Sequence, residues 1–171
     1  LSNGVMYDEW RKIESGQARV VVGKECIQMV VALYPLHLLY RIKRIVVSTY
    51  QSVTGTGVKA VQQLMNERKN IDGLKAYAYP IDLNVIPHID VFMDNGYTKE
   101  EMKMVHETKK IMQDDTIQVT ATCVRIPVMG GHSESVNVEF EKDFMLEDVT
   151  AALLKAKGVR VVDDVQNLQY P

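Results

Sequence analysis

The chain has 171 residues, of which 46% are apolar and 25% charged, and its net charge is -2. These values fit one domain, or one large and one small unit, able to bury a core, and they exclude a collagen-like, mucin-like or wholly disordered chain. The charge balance gives no basic field pointing to nucleic acid or anionic lipid, Cys26 and Cys123 are too few for a disulfide framework, and no signal peptide or bilayer-spanning stretch is visible, so a cytoplasmic protein is expected.

Leu1 to Gly16 is mixed and polar and carries the one tryptophan, Trp10. Ala18 to Val22 ends in three valines and is expected as a short strand. Ile27 to Tyr40 is apolar and predicts a buried helix that Pro35 bends or ends. Ile42 to Tyr50, with Ile45, Val46 and Val47, predicts a buried strand. A glycine loop follows at Thr54 to Gly57. Val58, Val61, Leu64 and Met65 then recur at the spacing of an amphipathic helix, predicted over Val58 to Lys69. Tyr77 to Met93 carries Pro80 and Pro87 without a steady period and reads as a long loop with short extended pieces. Thr98 and Glu101 form a capping box for a helix through Met112, with an apolar face of Met104, Val105, Ile111 and Met112. Thr116 to Val128 alternates as a long strand, stopped by Pro127 and the pair Gly130–Gly131. Ser135 to Glu141 alternates again. Leu146 to Lys157 predicts a helix closed by Gly158 in the C′ position, and Val159 to Val162 a last strand. Mixed helices and strands with an antiparallel pair point to an α+β fold.

Four features carry possible chemistry. Gly55-Thr56-Gly57-Val58-Lys59-Ala60 fits the G-x-G-x-x-A dinucleotide pattern, in which glycines let phosphates meet a helix N-terminus. Five polar or small residues separate the preceding strand from Gly55, and no parallel strand ending in an acid is evident, so an ordinary strand-to-helix turn is expected. His106-Glu107-x-x-Lys110 looks like half of a zinc motif, but lysine cannot replace the second imidazole, and no metal site is expected. Lys103, Glu107 and Lys110 instead share one helix face, which a solvated salt-bridge ladder would explain. Arg125 ends an apolar row of Ile117, Val119, Ala121 and Cys123, and a buried arginine needs an anion. A structural carboxylate and a ligand carboxylate both satisfy that need. His132, brought back by the Gly130–Gly131 turn, would add proton transfer. Cys26 precedes the apolar helix, where a thiol is either activated or buried and inert.

The blocks Ser48-Thr49-Tyr50-Gln51-Ser52-Val53-Thr54-Gly55-Thr56-Gly57, Asn84 to Asp90, Asn95 to Glu101, Glu107 to Ile111, Thr120 to Val128 and Gly131 to Ser135 together resemble the aspartate-semialdehyde dehydrogenases. The blocks stand in family order from about Ile27 to Pro171. The resemblance implies an NADP-dependent reaction between L-aspartyl 4-phosphate and aspartate 4-semialdehyde, opening the route to lysine, threonine and methionine. It implies a cysteine thiolate that carries the acyl group. Gln51 resembles the residue that orients the acyl intermediate, Arg125 the one that grips the substrate α-carboxylate, and His132 the acid/base. Glu107 and Lys110 resemble the pair that holds the substrate amine and phosphate. All are expected to face one cleft, with Gln51 near its rim.

The nucleophile segment departs from the family. Ile27-Gln28-Met29-Val30-Val31-Ala32-Leu33 is present, but aligned without a gap the nucleophile position falls on Lys24, and only a two-residue deletion would place Cys26 there. Residues 1–25 do not resemble the family, and residues 26–171 match its substrate-binding and dimerisation domain without the nucleotide-binding domain. The fold implied is a mixed, largely antiparallel sheet with helices on one face, like the C-terminal domain of glyceraldehyde-3-phosphate dehydrogenase-like enzymes. A homodimer through the sheet face that the helices leave uncovered is expected, along with no nucleic acid or membrane partner, and no NADP binding or turnover by this chain alone. A catalytically inactive dimerisation module is the alternative, and a related N-acetyl-glutamyl-phosphate type reductase a weaker third.

Overall fold

The computed structural model describes residues 24–164 and 166–169. The strand expected at Ala18 to Val22 lies outside them, as does the segment 1–25 apart from the backbone of its last two residues. In chain order the elements are α1 (Lys24–Tyr40), β1 (Ile42–Ser52), a 3-10 turn (Val53–Thr56), α2 (Val58–Arg68), α3 (Lys99–Met112), β2 (Gln118–Ile126), β3 (Ser133–Phe140) and α4 (Leu146–Lys155). The three strands form one sheet in the order β2-β1-β3.

The strand directions follow from hydrogen bonds at the two ends of β1. At its start the Arg41 carbonyl accepts from the Glu141 N–H, just past β3. At its end the Val53 N–H donates to the Val128 carbonyl, just past β2. β3 is therefore antiparallel to β1 and β2 parallel to it, which makes the sheet mixed and the class α+β, as expected. An antiparallel pair was expected without its strands being named, and β1 with β3 is one. The parallel partner of β1, joined through α2 and α3, was not expected, because a crossover of some sixty-five residues breaks the βαβ spacing.

The chain divides into two compact units. The first comprises the chain up to Arg44, Glu107–Gln118 and the chain from Val138. In it Cys26, Met29, Val30, Leu33 and Leu36 recur every three or four residues and bury one face of α1. Pro35 lies inside this helix and does not end it. The ring removes one backbone bond, and buried Leu33 and Leu36 on either side keep the helix in register. The helix closes at Arg41, whose φ of 59° lets its N–H donate back to the His37 carbonyl at 2.9 Å. α4 packs on α1. α4 ends earlier than expected, with Ala156 as its cap at φ -71° and ψ 132°, so Gly158 is not its C′ residue; Gly158 adopts φ 80° in the turn that follows, where the Val159 N–H donates to the Ala156 carbonyl at 3.4 Å. Val159 to Val162 is not a strand, since among the described residues its only neighbouring pairing is the isolated bridge of Asp164 with Gln169.

The second unit comprises Ile45–His106 and Val119–Asn137. Its core is Val53, Ala60, Leu64, Ile81 and Ile86, with Val61, Ala76 and Tyr77 packed against it. The long loop after α2 has no ladder, and Gln63 and Glu67 tie it to the helix instead. The Gln63 carbonyl accepts from the Ala76 and Tyr77 N–H groups at 2.6 and 2.9 Å, and the Glu67 carboxylate accepts from the Ile81 and Asp82 N–H groups at 2.8 Å each. Burial raises the Glu67 carboxyl, and the hydrogen bonds from Asp82, Gln63 and Ile81 outweigh it, holding the group below its ordinary value. The capping box is formed as expected: Thr98 N–H donates to Glu101 at 2.8 Å and Glu101 N–H to the Thr98 hydroxyl at 3.3 Å. No helix among the described residues is long and apolar enough to cross a membrane.

Candidate functional site

Parallel β1 and β2 end side by side, and the carboxyl ends of parallel strands are where α/β sheets hold ligands. β1 ends in Gln51 and Ser52, β2 in Arg125 and Ile126. Alternation along β2 turns Ala121, Cys123 and Arg125 to one buried face. Arg125 is 5% exposed. Its backbone is fixed by reciprocal bonds with Ile86 at 2.9 and 3.0 Å. Its Nη1 donates to the Ser52 carbonyl at 2.7 Å, while its Nε is buried with no partner. Of the two sources of an anion left open by the sequence, the described residues supply no ion pair to Arg125.

His132 stands just before β3, in the same unit. Its Nδ1 accepts from the Ser52 N–H at 2.9 Å. Gly130, at φ +116°, makes the turn that returns the chain, and its carbonyl lies 2.9 and 3.0 Å from the Ser52 and Thr54 hydroxyls. Gly55 brings the turn after β1 against both groups. A Cβ there would lie 2.9 Å from Arg125 Nη1 and 3.3 Å from His132 Cε1. The glycine run is thus a 3-10 turn that makes room for a guanidinium and an imidazole, and it does not form a dinucleotide fingerprint. Although β1 has a parallel neighbour, that strand ends in Arg125 where the fingerprint needs an acid.

Gln51 is 1% exposed and does not lie at a rim. Its side chain points away from that of Ser52 by strand alternation, and its Nε2 donates to the Thr49 hydroxyl at 3.2 Å. The remaining expected residues belong to the first unit. Cys26 is 1% exposed in the first turn of α1, its Sγ 3.6 Å from the Thr108 hydroxyl. On α3, Glu107 is half-buried and Lys110 exposed. The third member of that stripe, Lys103, is a conventional surface cation, 2.9 Å from Glu100 and 3.8 Å from Asp90.

The structure therefore brings together Arg125, His132 and the β1 end, and adds Ser52, Thr54, Gly55 and Gly130. Sequence reading missed the first two and gave Gly55 another role. The available signal was the density of hydroxyls and glycines between Ser52 and Gly57 at a strand end, which marks a turn built around something.

Over residues 33–171 the chain matches the family described as semialdehyde dehydrogenase, dimerisation domain. It is 49% identical over 160 residues to an aspartate-semialdehyde dehydrogenase of Aquifex aeolicus, an alignment covering 89% of this chain and 47% of that protein. With the Legionella pneumophila enzyme of the same name it shares 48% identity over 159 residues, 89% of this chain and 46% of that protein. The chain thus spans about half the length of these curated relatives. Among solved structures, aspartate semialdehyde dehydrogenase II of Vibrio cholerae complexed with ASA superposes with a TM-score of 0.77 at 43% identity, over 81% of this chain and 43% of that one.

Proposed function

The chain belongs to the semialdehyde dehydrogenase family through its dimerisation domain, and from that premise we propose that it is the substrate-binding and dimerisation part of an aspartate-semialdehyde dehydrogenase. The reaction is the NADPH-dependent reductive dephosphorylation of L-aspartyl 4-phosphate to aspartate 4-semialdehyde. NADPH supplies the hydride. The glycine turn of this chain is filled by Arg125 and His132 and is not assigned to the cofactor.

The observation that carries the reading is Arg125, a buried guanidinium with an unpartnered Nε and a carbonyl where a carboxylate is expected. A guanidinium offers parallel N–H groups that suit a carboxylate, so Arg125 takes the α-carboxylate of the substrate. His132 serves as acid/base, since an imidazole changes charge near neutral pH. Gln51 is assigned to orienting the acyl group, and Glu107 and Lys110 to the substrate amine and phosphate, by correspondence with the family. The chain forms a homodimer, supported by the apolar residues Leu38, Leu39, Met145, Leu146 and Leu154 that the first unit leaves exposed. An exposure of only 1% at Cys26, with Lys24 at the aligned nucleophile position, favours the second reading for the chain in isolation, a dimerisation module without turnover.

Titrating aspartate 4-semialdehyde into the chain tests the substrate reading. Wild type should bind, and Arg125→Leu should weaken binding about 100-fold, the loss of a charge-assisted pair worth ~2.7 kcal/mol. Equal binding by both proteins, or equal binding of an analogue lacking the α-carboxylate, would remove Arg125 from the site.

A further inference from the structure

Two hydroxyls and one amide at the end of β1 act on one short segment. The Ser52 and Thr54 hydroxyls, hydrogen-bonded to each other at 2.5 Å, together hold the Gly130 carbonyl, 2.9 and 3.0 Å from the two oxygens and two residues before His132. The Ser52 N–H donates to His132 Nδ1 at 2.9 Å. We propose that Ser52 and Thr54 are positioning residues that select the tautomer of His132, an inference that rests on the acid/base role given to His132 above.

A backbone N–H can only donate, so the Nδ1 facing it must present a lone pair. In the neutral ring the proton therefore resides on Nε2. That nitrogen lies on the Gly55 side, 3.5 Å from where a Gly55 Cβ would stand, the same point that is 2.9 Å from Arg125 Nη1. The neutral imidazole thus presents N–H beside a guanidinium, and both are donors suited to substrate oxygens. The neutral ring therefore offers a hydrogen bond from Nε2 to a substrate oxygen, and giving that proton up as an acid requires a second proton on Nδ1, which breaks the bond from the Ser52 amide.

The clasp on Gly130 keeps this geometry. Gly130 sits at φ +116°, so its carbonyl direction is set by a turn that glycine adopts freely and that nothing in its own side chain restrains. Two hydroxyls on one carbonyl replace that missing restraint. Losing either should loosen the segment, and losing both should let the ring leave the Ser52 amide.

Selective 15N labelling of the four histidines in the full chain reads the tautomer directly, at a pH where the rings are neutral. His132→Asn identifies the His132 signals by their disappearance. Wild type should show His132 protonated on Nε2 alone. Ser52→Pro removes the amide donor at a residue whose φ of -66° and ψ of 154° suit proline. It should lose the single-tautomer pattern and show a mixture. Ser52→Ala combined with Thr54→Val keeps the amide and removes the clasp, and should give partial averaging. If Ser52→Pro fails to fold, the wild-type tautomer and the double variant still decide the matter. A wild-type ring protonated on Nδ1, or an unchanged Nε2 pattern in every folded variant, overturns the inference and leaves the acid/base role standing. Conversely, a His132→Asn variant of the complete enzyme with undiminished turnover removes that role while the tautomer result stands.

Discussion

Arg125 of the second unit is treated differently from the basic side chains of the first. In the first, Arg41 lies 3.5 Å from both Asp114 and Glu141, and Lys43 lies 2.6 Å from Glu139, with the two cations 55% and 56% exposed. In the second, Arg125 is 5% exposed and meets only a carbonyl. Water supports the exposed cations, and their partners contribute little. A buried guanidinium without a counter-charge costs stability, and a fold that keeps one does so for something that arrives later. Carboxylate-matched cations therefore read as surface chemistry, and the unmatched one reads as a binding group.

The sharpest way to break that comparison is Arg125→Leu, where stability and binding should move in opposite directions. Removing an unpaired buried charge should leave the unfolding free energy unchanged or raise it by ~1 kcal/mol. Ligand binding should fall as described above. A stability loss of about 3 kcal/mol or more with binding intact would mean that the arginine is structural, in the manner of a broken buried pair.

Gly55→Ala has the same logic and a smaller effect. The new Cβ would stand 2.9 Å from Arg125 Nη1, the far end of a flexible side chain. The guanidinium can yield, so folding should be unaffected or gain ~0.5 kcal/mol from a less flexible unfolded chain. A displaced guanidinium should bind a carboxylate about tenfold more weakly, ~1.4 kcal/mol. Calorimetry on wild type and variant at one temperature measures both quantities.

How much of this was legible in the sequence depends on range. The capping box at Thr98 and Glu101, the apolar run of α1 and the alternation around Ala121 are local patterns, and each is found in the structure. The proximity of Arg125 and His132 was legible for a physical reason: a charge at the end of an apolar row, and a histidine after a glycine turn. Of the two outcomes expected at Pro35, an end to the helix is not found, because packing on both sides carries the helix past it. Gly158 was placed one turn too early: it supplies the left-handed residue of the turn beyond the Ala156 cap. The parallel pairing of β1 with β2 and the clasp on Gly130 could not be read, since both join residues more than seventy positions apart.

His37 extends the comparison to a group that titrates within the first unit. Burial lowers its affinity for a proton, Asp114 3.7 Å away pulls the other way, Arg41 lowers it again and Glu141 raises it, and the net direction is down. Its Nδ1 also accepts from the Ile42 N–H at 3.1 Å, a bond that protonation would break. The unfolded chain takes up the proton near pH 6.5, before the folded one does. The stability contributed by neutral His37 is therefore complete above about that pH and is lost as pH falls through the lower folded value. Urea midpoints between neutral and mildly acid pH should fall more for wild type than for His37→Asn, which keeps an acceptor but does not titrate. Parallel curves would show that the ring is not what responds.

Lys43→Ala should have the smallest effect. The ammonium donates to Glu139 at 2.6 Å, and that hydrogen bond, followed by the attraction of the charge itself, holds the Glu139 carboxyl below its ordinary value. Both side chains are about half exposed, so on breaking the pair water replaces what each loses. The carboxyl should return towards its ordinary value in an NMR titration, because its nearest cation has gone. The urea midpoint at neutral pH should fall only slightly, because a depressed carboxyl implies some stabilisation by the pair and exposure to water keeps that stabilisation small. A small loss of stability that accompanies the titration shift is what separates a solvated ion pair from a buried charge. A clear destabilisation by Lys43→Ala would place the first unit's cations on the same footing as Arg125, and the inference from an unmatched charge to a binding group would lose its contrast.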